Sequence, residues 1–310
     1  MLRETKCVRN VRKLDKMKRF KRVLGVVSSD APLAGFMAWL NCLKDSAEGI
    51  KILLYTRSAV DEYPMLEEGG DHSNGLEDLR DLVADRLVGH HVEVSAIEGG
   101  ELRGTLSELA TGEFDLLVLP LHDHASRSLA ERLARKSPIG ILAIPEDCIA
   151  PAKRVVAAVD FSDITPLTLD WAHAFSTLAG DEALLSAVHV LDLTLRTRST
   201  MVLSSEEMRS HLRDTTKTMI ETSLEDHAPN HDKWSSKVIE GRIPGLELVR
   251  FANKEADLLV VGGHGKNVLS VALMGSNSAE VIRAIKKPVL IVKRKNESIE
   301  FLRTLIGWSS

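Results

Sequence analysis

The sequence predicts an α/β protein built from two tandem open five-stranded parallel sheets, strand order 3-2-1-4-5, with helices on both faces. Three observations lead there. Apolar runs of strand length alternate with stretches of helical periodicity along the whole chain, as parallel strands joined by right-handed crossovers require. Several runs, Phe114 to Leu119 and Leu258 to Val261 among them, show no polar alternation, the mark of strands buried on both faces. The second half of the chain also repeats the first.

In chain order, residues 1–19 form a basic arm: over residues 1–22, ten Lys or Arg stand against two acids, Glu4 and Asp15. With almost no apolar periodicity, it is expected to be a solvated tail without a function of its own, and Met17 could be the natural first residue. The first unit, 20–148, opens with a strand from Arg22 to Val27, an amphipathic helix from Ala31 to Leu43 and an apolar strand from Ile50 to Thr56. Residues 58–75, with Pro64, Gly69, Gly70 and Gly75, read as loop, and Leu76 to Val88 returns to helical spacing. Val92 to Ile97 alternates as a strand, Leu102 to Ala110 is helical, Phe114 to Leu119 is a buried strand, and Ile139 to Ile144 closes the unit.

The second unit, 152–295, aligns on the first. Lys153-Arg154-Val155 matches Lys21-Arg22-Val23 at a distance of 132 residues, Asp257-Leu258-Leu259-Val260 matches Asp115-Leu116-Leu117-Val118 at 142, and Pro288 matches Pro138 at 150. The first increase falls mostly between Leu193 and Trp234, the second across the segment after the fourth strand. Residues 296–310 are a tail with apolar residues at helical spacing, read as a short docked helix or as a contact with another subunit.

The segment after the fourth strand separates the two copies. Copy two reads Gly262-Gly263-His264-Gly265, then Gly275-Ser276-Asn277-Ser278 ahead of a helical stretch, Ala279 to Ile285. Glycines at a strand end permit a tight turn and a close approach of backbone N–H groups to a ligand. Small polar residues at a helix start cap its free N–H groups, which together with the helix dipole attract an anion. The spacing G-x2-G-x9-G-S at Gly262, Gly265, Gly275 and Ser276, between two buried strands, resembles the ATP-binding motif of the universal stress protein family. The resemblance covers residues 20–294, is strong only in copy two, and implies a fold of the adenine nucleotide alpha hydrolase type.

It also implies ATP, with or without Mg²⁺, held by Gly262, Gly265, Gly275, Ser276, Asn277 and Ser278, with Asp160 facing the nucleoside and Val190 meeting the adenine edge through its backbone. In a 3-2-1-4-5 sheet such a ligand lies between the carboxyl ends of strands one and four. Copy one reads Pro120-Leu121-His122-Asp123-His124-Ala125 instead, carries Ser28 in place of Asp160, and has Tyr55 where copy two has His189. It is expected to be a degenerate scaffold that does not bind ATP.

The function implied is that of an ATP-binding sensor or regulator in a stress response. A nucleotide-independent protein-interaction module and a slow ATPase are the alternatives. No catalytic residue is assigned. His264 lacks a local acid, and its counterpart His122 persists where the glycines are gone, so a shared structural role is expected. His227 and His231 are separated by the helix-breaking Pro229-Asn230, and His90, His91, His122 and His124 have no recognised ligand spacing, so zinc is not expected.

The net charge of −4 gives no global attraction to nucleic acid, no apolar run is long enough to span a membrane, and three separated cysteines, Cys7, Cys42 and Cys148, fit a cytoplasmic protein. The last strand of each copy is an apolar edge, so the copies are expected to meet there antiparallel as an intramolecular pseudo-dimer. A further homodimer stays open.

Overall fold

The structure, a computed structural model, describes residues 19–56, 73–97, 100–192, 206–263 and 276–294. The first half contains β1 (Phe20–Ser28), α1 (Ala34–Leu43), β2 (Ala47–Tyr55), α2 (Ser73–Arg86), β3 (Val92–Ala96), α3 (Glu101–Leu109), β4 (Leu116–Leu121), α4 (His124–Lys136) and β5 (Gly140–Pro145). The second contains β6 (Arg154–Ala158), α5 (Thr165–Thr177), β7 (Leu184–Asp192), α6 (Glu206–His227), β8 (Trp234–Gly241), α7 (Pro244–Glu255), β9 (Leu258–Gly262), α8 (Ser276–Ala284) and β10 (Val289–Val292). Both basic arm and tail lie outside the described residues, apart from Arg19.

Each half keeps the 3-2-1-4-5 order, but the two sheets are not separate. They form one ten-stranded sheet in the order β3-β2-β1-β4-β5-β10-β9-β6-β7-β8. Every pairing within a half is parallel, and the join is antiparallel, with Val289 opposite Ala143, Leu290 opposite Leu142 and Ile291 opposite Ile141. The two five-stranded sheets expected from the sequence are thus continuous through β5 and β10, the last strands expected to meet antiparallel. The reason is physical: β5 and β10 are wholly buried apolar strands, and an open edge on either would leave a row of unpaired N–H and C=O groups.

The strands bury side chains on two faces. One face packs against Phe36, Trp39 and Leu40 of α1, Leu79 and Val83 of α2, Leu169 and Phe175 of α5, and Ile220 and Leu224 of α6. The other packs against Leu106 of α3, Leu129 and Leu133 of α4, Leu248 and Ala252 of α7, and Val281 and Ile282 of α8. Equivalent helices of the two halves therefore share a face, as a twofold relation about the sheet normal requires.

Helices close over the seam on both sides. On one, Trp171 stacks on Phe175 at 6.2 Å between ring centroids, Phe20 lies 5.5 Å from Trp171, and Trp39 lies 6.2 Å from Phe175. On the other, Arg283 of α8 grips Glu131 of α4 at 2.5 and 2.6 Å, and Arg127 Nη1 donates to the Ile282 carbonyl at 2.7 Å.

Among the described residues no helix is long and apolar enough to cross a membrane. α6 ends at His227, and Asn230 takes a left-handed turn at φ 50°, which carries His231 away from the helical spacing that a metal pair would need.

Candidate functional site

The site expected from the sequence lies where the strand order of the second half switches. β6 pairs with β7 on one side and with β9 on the other, and the register of Ala157 on Val260 sets Gly262 level with Val159 and next to Asp160. Asp160 is exposed at the carboxyl end of β6. Its Oδ1 accepts from the Ser162 N–H at 3.0 Å, from the Ser162 hydroxyl at 2.5 Å and from the Thr165 hydroxyl at 3.2 Å. This closes a local Asx turn and fixes the carboxylate ahead of α5.

The next residue, Phe161, is held in the left-handed region at φ 57°, where a residue with a Cβ is strained by about 1–3 kcal/mol. Its ring lies 4.7 Å from that of His189. His189 in turn donates from Nδ1 to the Val159 carbonyl at 2.7 Å, which assigns the proton to Nδ1. Strain, ring contact and hydrogen bond together tie the end of β6 to β7.

Val190 is placed by strand geometry. The Val188 carbonyl faces β6 and accepts from the Val159 N–H at 2.8 Å. Two residues on, Val190 turns its backbone groups to the same side, beyond the last β6–β7 pair, Ala158 with Val188. Its backbone groups are those that the sequence resemblance assigns to an adenine edge. The Val190 side chain itself points into the core.

Gly262 has a packing role that sequence reasoning did not foresee. A Cβ there would lie 2.6 Å from Cγ2 of Ile164, so the glycine admits the first turn of α5. At Gly263 a Cβ would lie 3.0 Å from the Val292 carbonyl oxygen, which already accepts from the Gly263 N–H at 2.8 Å. Gly265 and Gly275 lie outside the described residues, as does His264. Ser276, Asn277 and Ser278 form the first turn of α8, with the backbone alone described. The helix start expected from the sequence is thus found, and the leading N–H groups of a helix have no partner within it.

Copy one closes the same place. β4 ends at Leu121 and α4 begins at His124, with Asp123 as its N-cap: the carboxylate accepts from the Ser126 N–H at 2.8 Å while the Ser126 hydroxyl accepts from the Asp123 N–H at 3.0 Å. This capping box supplies the helix N-terminus with its own negative charge. Ser28 is buried, and its hydroxyl has no hydrogen-bond partner among the described residues.

One alignment needs correction: Ser28 pairs with Tyr55, so with Ser28 set on Asp160, Tyr55 takes the register of Val190 and not that of His189. The slip of one residue reflects a different offset in the second strand, which gapless matching of the first strands could not reveal.

Sequence reasoning also missed Phe161, Ser162, Ile164 and Thr165. The run Asp160-x-Ser162-x-x-Thr165 carried a signal, because hydroxyls two and five residues after an Asp suit a turn followed by a helix. A cavity of about 500 Å³ beside them lies between α5 and α6 and not in the β6–β9 crevice; Phe161, Thr165, Thr218 and Met219 are among its walls. No group of three or more His, Cys, Asp or Glu able to hold a metal ion occurs among the described residues.

A profile of the universal stress protein family matches residues 151–293. Over 159 residues the chain is 30% identical to universal stress protein MJ0577 of Methanocaldococcus jannaschii, spanning 46% of this chain and 96% of that one. The chain belongs to the universal stress protein family. Membership puts it among stress-response proteins. A second universal stress protein of the same organism, MJ0531, is 31% identical over 148 residues, or 46% of this chain and 82% of that relative.

Two solved structures extend the likeness to both halves of this universal stress protein. Protein PA1789 of Pseudomonas aeruginosa superposes with a TM-score of 0.68 at 18% identity, over 94% of this chain and 99% of that chain. A universal stress protein of Archaeoglobus fulgidus gives 0.57 at 16% identity, over 89% and 97%. At such identities the likeness establishes the fold alone.

Proposed function

We propose that the protein is an ATP-binding stress-response regulator in which the second half, residues 152–295, holds one adenine nucleotide and the first half, residues 20–148, serves as its scaffold. The observation that carries this reading is the contrast at equivalent helix starts: α8 begins at Ser276 after a glycine-bearing segment, whereas α4 is capped by its own Asp123. In the proposed complex the phosphates meet the N-terminus of α8 and the backbone around Gly262, Gly265 and Gly275, with Ser276, Asn277 and Ser278 at the helix start. Asp160 takes the ribose or base, and the Val190 backbone takes the adenine edge. A nucleotide bound there supplies charge to be sensed.

Pairing of β5 with β10 lets the two halves serve as a built-in dimer within one chain. Mass spectrometry of ligand released from gently purified protein, followed by calorimetric titration with ATP, tests the assignment. Adenine nucleotide in the released fraction and saturable ATP binding are expected. A protein that neither carries nor binds nucleotide, yet retains a partner protein, would transfer the function to interaction surfaces.

A further inference from the structure

Lys293 follows β10 directly and is 5% exposed, its ammonium position drawn beneath the opposite half so that Nζ donates to the Ser137 carbonyl at 2.7 Å. Among the described residues no carboxylate lies within ion-pair distance of it. Burial without a counter-charge pushes its pKa down to about 7, so near neutral pH much of it is free amine with an available lone pair. In the first half the sheet register sets Pro145 on Lys293, so the amine is particular to one side of the seam.

Next to Lys293 a cavity of about 550 Å³ opens at the seam, with Arg19, Arg294, Asp115, Asp170 and Trp171 among its walls. Asp170 pairs with Arg19 of the same cavity at 2.5 Å, and Asp115 accepts from the Lys21 N–H at 2.6 Å. We propose that Lys293 is a site of reversible carbamylation by carbon dioxide, the carbamate lying in this seam cavity.

The nitrogen lone pair forms the N–C bond, one C=O π pair of carbon dioxide moves onto oxygen, and the nitrogen releases a proton to water. The geometry favours carbon dioxide over an aldehyde. A carbamate nitrogen keeps an N–H for the Ser137 carbonyl, whereas a neutral imine nitrogen has none to give. The electrophile must also be small to reach an amine so enclosed, and the product anion would join Arg19 and Arg294 on the cavity wall, which already hold Asp170 and Asp163.

The test uses the full-length protein equilibrated with ¹³C-bicarbonate near pH 7.5, trapped with triethyloxonium and mapped by peptide mass spectrometry. Labelled ethoxycarbonyl on Lys293 is expected, rising with dissolved carbon dioxide and exceeding that on exposed Lys286 by roughly tenfold or more. The peptide map of the wild type reads the site without any variant, and Lys293→Met should lose that label alone. No label on Lys293, or equal labelling of Lys286 and Lys293, overturns the proposal. Carbamylation does not depend on the nucleotide reading, because ATP titration of the same sample reports on that separately.

Discussion

Where β4 ends, two residues carry the chain into α4; where β9 ends, thirteen residues separate Gly262 from Ser276. The strands are equivalent, equally apolar and fully buried up to their last turn, and each is followed by a helix on the same face. What differs is who supplies the negative charge at the helix start. In the first half it is Asp123, covalently present and held by a capping box. In the second no Asp or Glu precedes Ser276 within the intervening segment, whose sequence keeps glycines and hydroxyls at the spacing of a phosphate cradle. On the proposed function, a duplicated fold retains an anion site in one copy and seals it in the other by shortening one loop and placing one carboxylate.

The comparison can be broken at the seam first. Ile141 is fully buried opposite Ile291, so Ile141→Lys places an unpaired charge between the halves and should cost more than about 4 kcal/mol. Loss of soluble protein, or aggregation seen by light scattering, is the expected outcome. A soluble variant of unchanged denaturation midpoint would mean the halves do not depend on one another.

The next largest effect concerns the cradle. Gly275→Val should lower ATP affinity by roughly a hundredfold or more in calorimetric titration while circular dichroism stays unchanged, because a branched side chain fills the space at the helix N-terminus. Ala125→Val, at the exposed start of α4, should leave ATP affinity as it is. Equal losses from the two substitutions would erase the asymmetry.

Asp160→Ala sharpens the comparison, since copy one already has Ser28 there. A hydrogen bond to a charged group is worth about 1.5–3 kcal/mol, a ten- to hundredfold loss of affinity. Some of that loss is indirect, because Asp160 also holds Ser162 and Thr165 in place. Complete loss of binding would assign Asp160 a larger part than one contact.

The smallest expected effect is on stability at Lys293, where the first half has Pro145. The folded pKa of about 7 lies below the ordinary lysine value, so between those two pH values the unfolded chain binds a proton that the folded chain does not. Wild-type stability therefore rises with pH across that window. Lys293→Met removes the penalty at the cost of about 1 kcal/mol for the lost Ser137 hydrogen bond. Urea denaturation should show the variant ahead at pH 7 and its lead shrinking toward pH 10. A lead that grows with pH would contradict the assignment of a neutral buried amine.

Much of the fold was legible because buried parallel strands are written as unbroken apolar runs: Leu116 to Leu121 and Leu258 to Gly262 announce themselves. The helix start at Ser276 and the closed start in copy one were legible from the glycine spacing and its absence. The reason for Gly262 was not, since only the folded chain brings Ile164 against a strand about a hundred residues away in sequence. Tyr55 was set one position off because hydrogen-bond register, and not sequence distance, decides which residues face each other across strands. Lys293 looks like an ordinary basic residue after a strand until the pairing of β5 with β10 buries it under Ser137.

The most direct measurement is the number of adenine nucleotides bound per chain, read by native mass spectrometry of the full-length protein across an ATP titration. One nucleotide per chain, lost in Gly275→Val and kept in Ala125→Val, is the expected result. Two per chain, or one that survives Gly275→Val, would contradict the division of labour between an open second half and a sealed first.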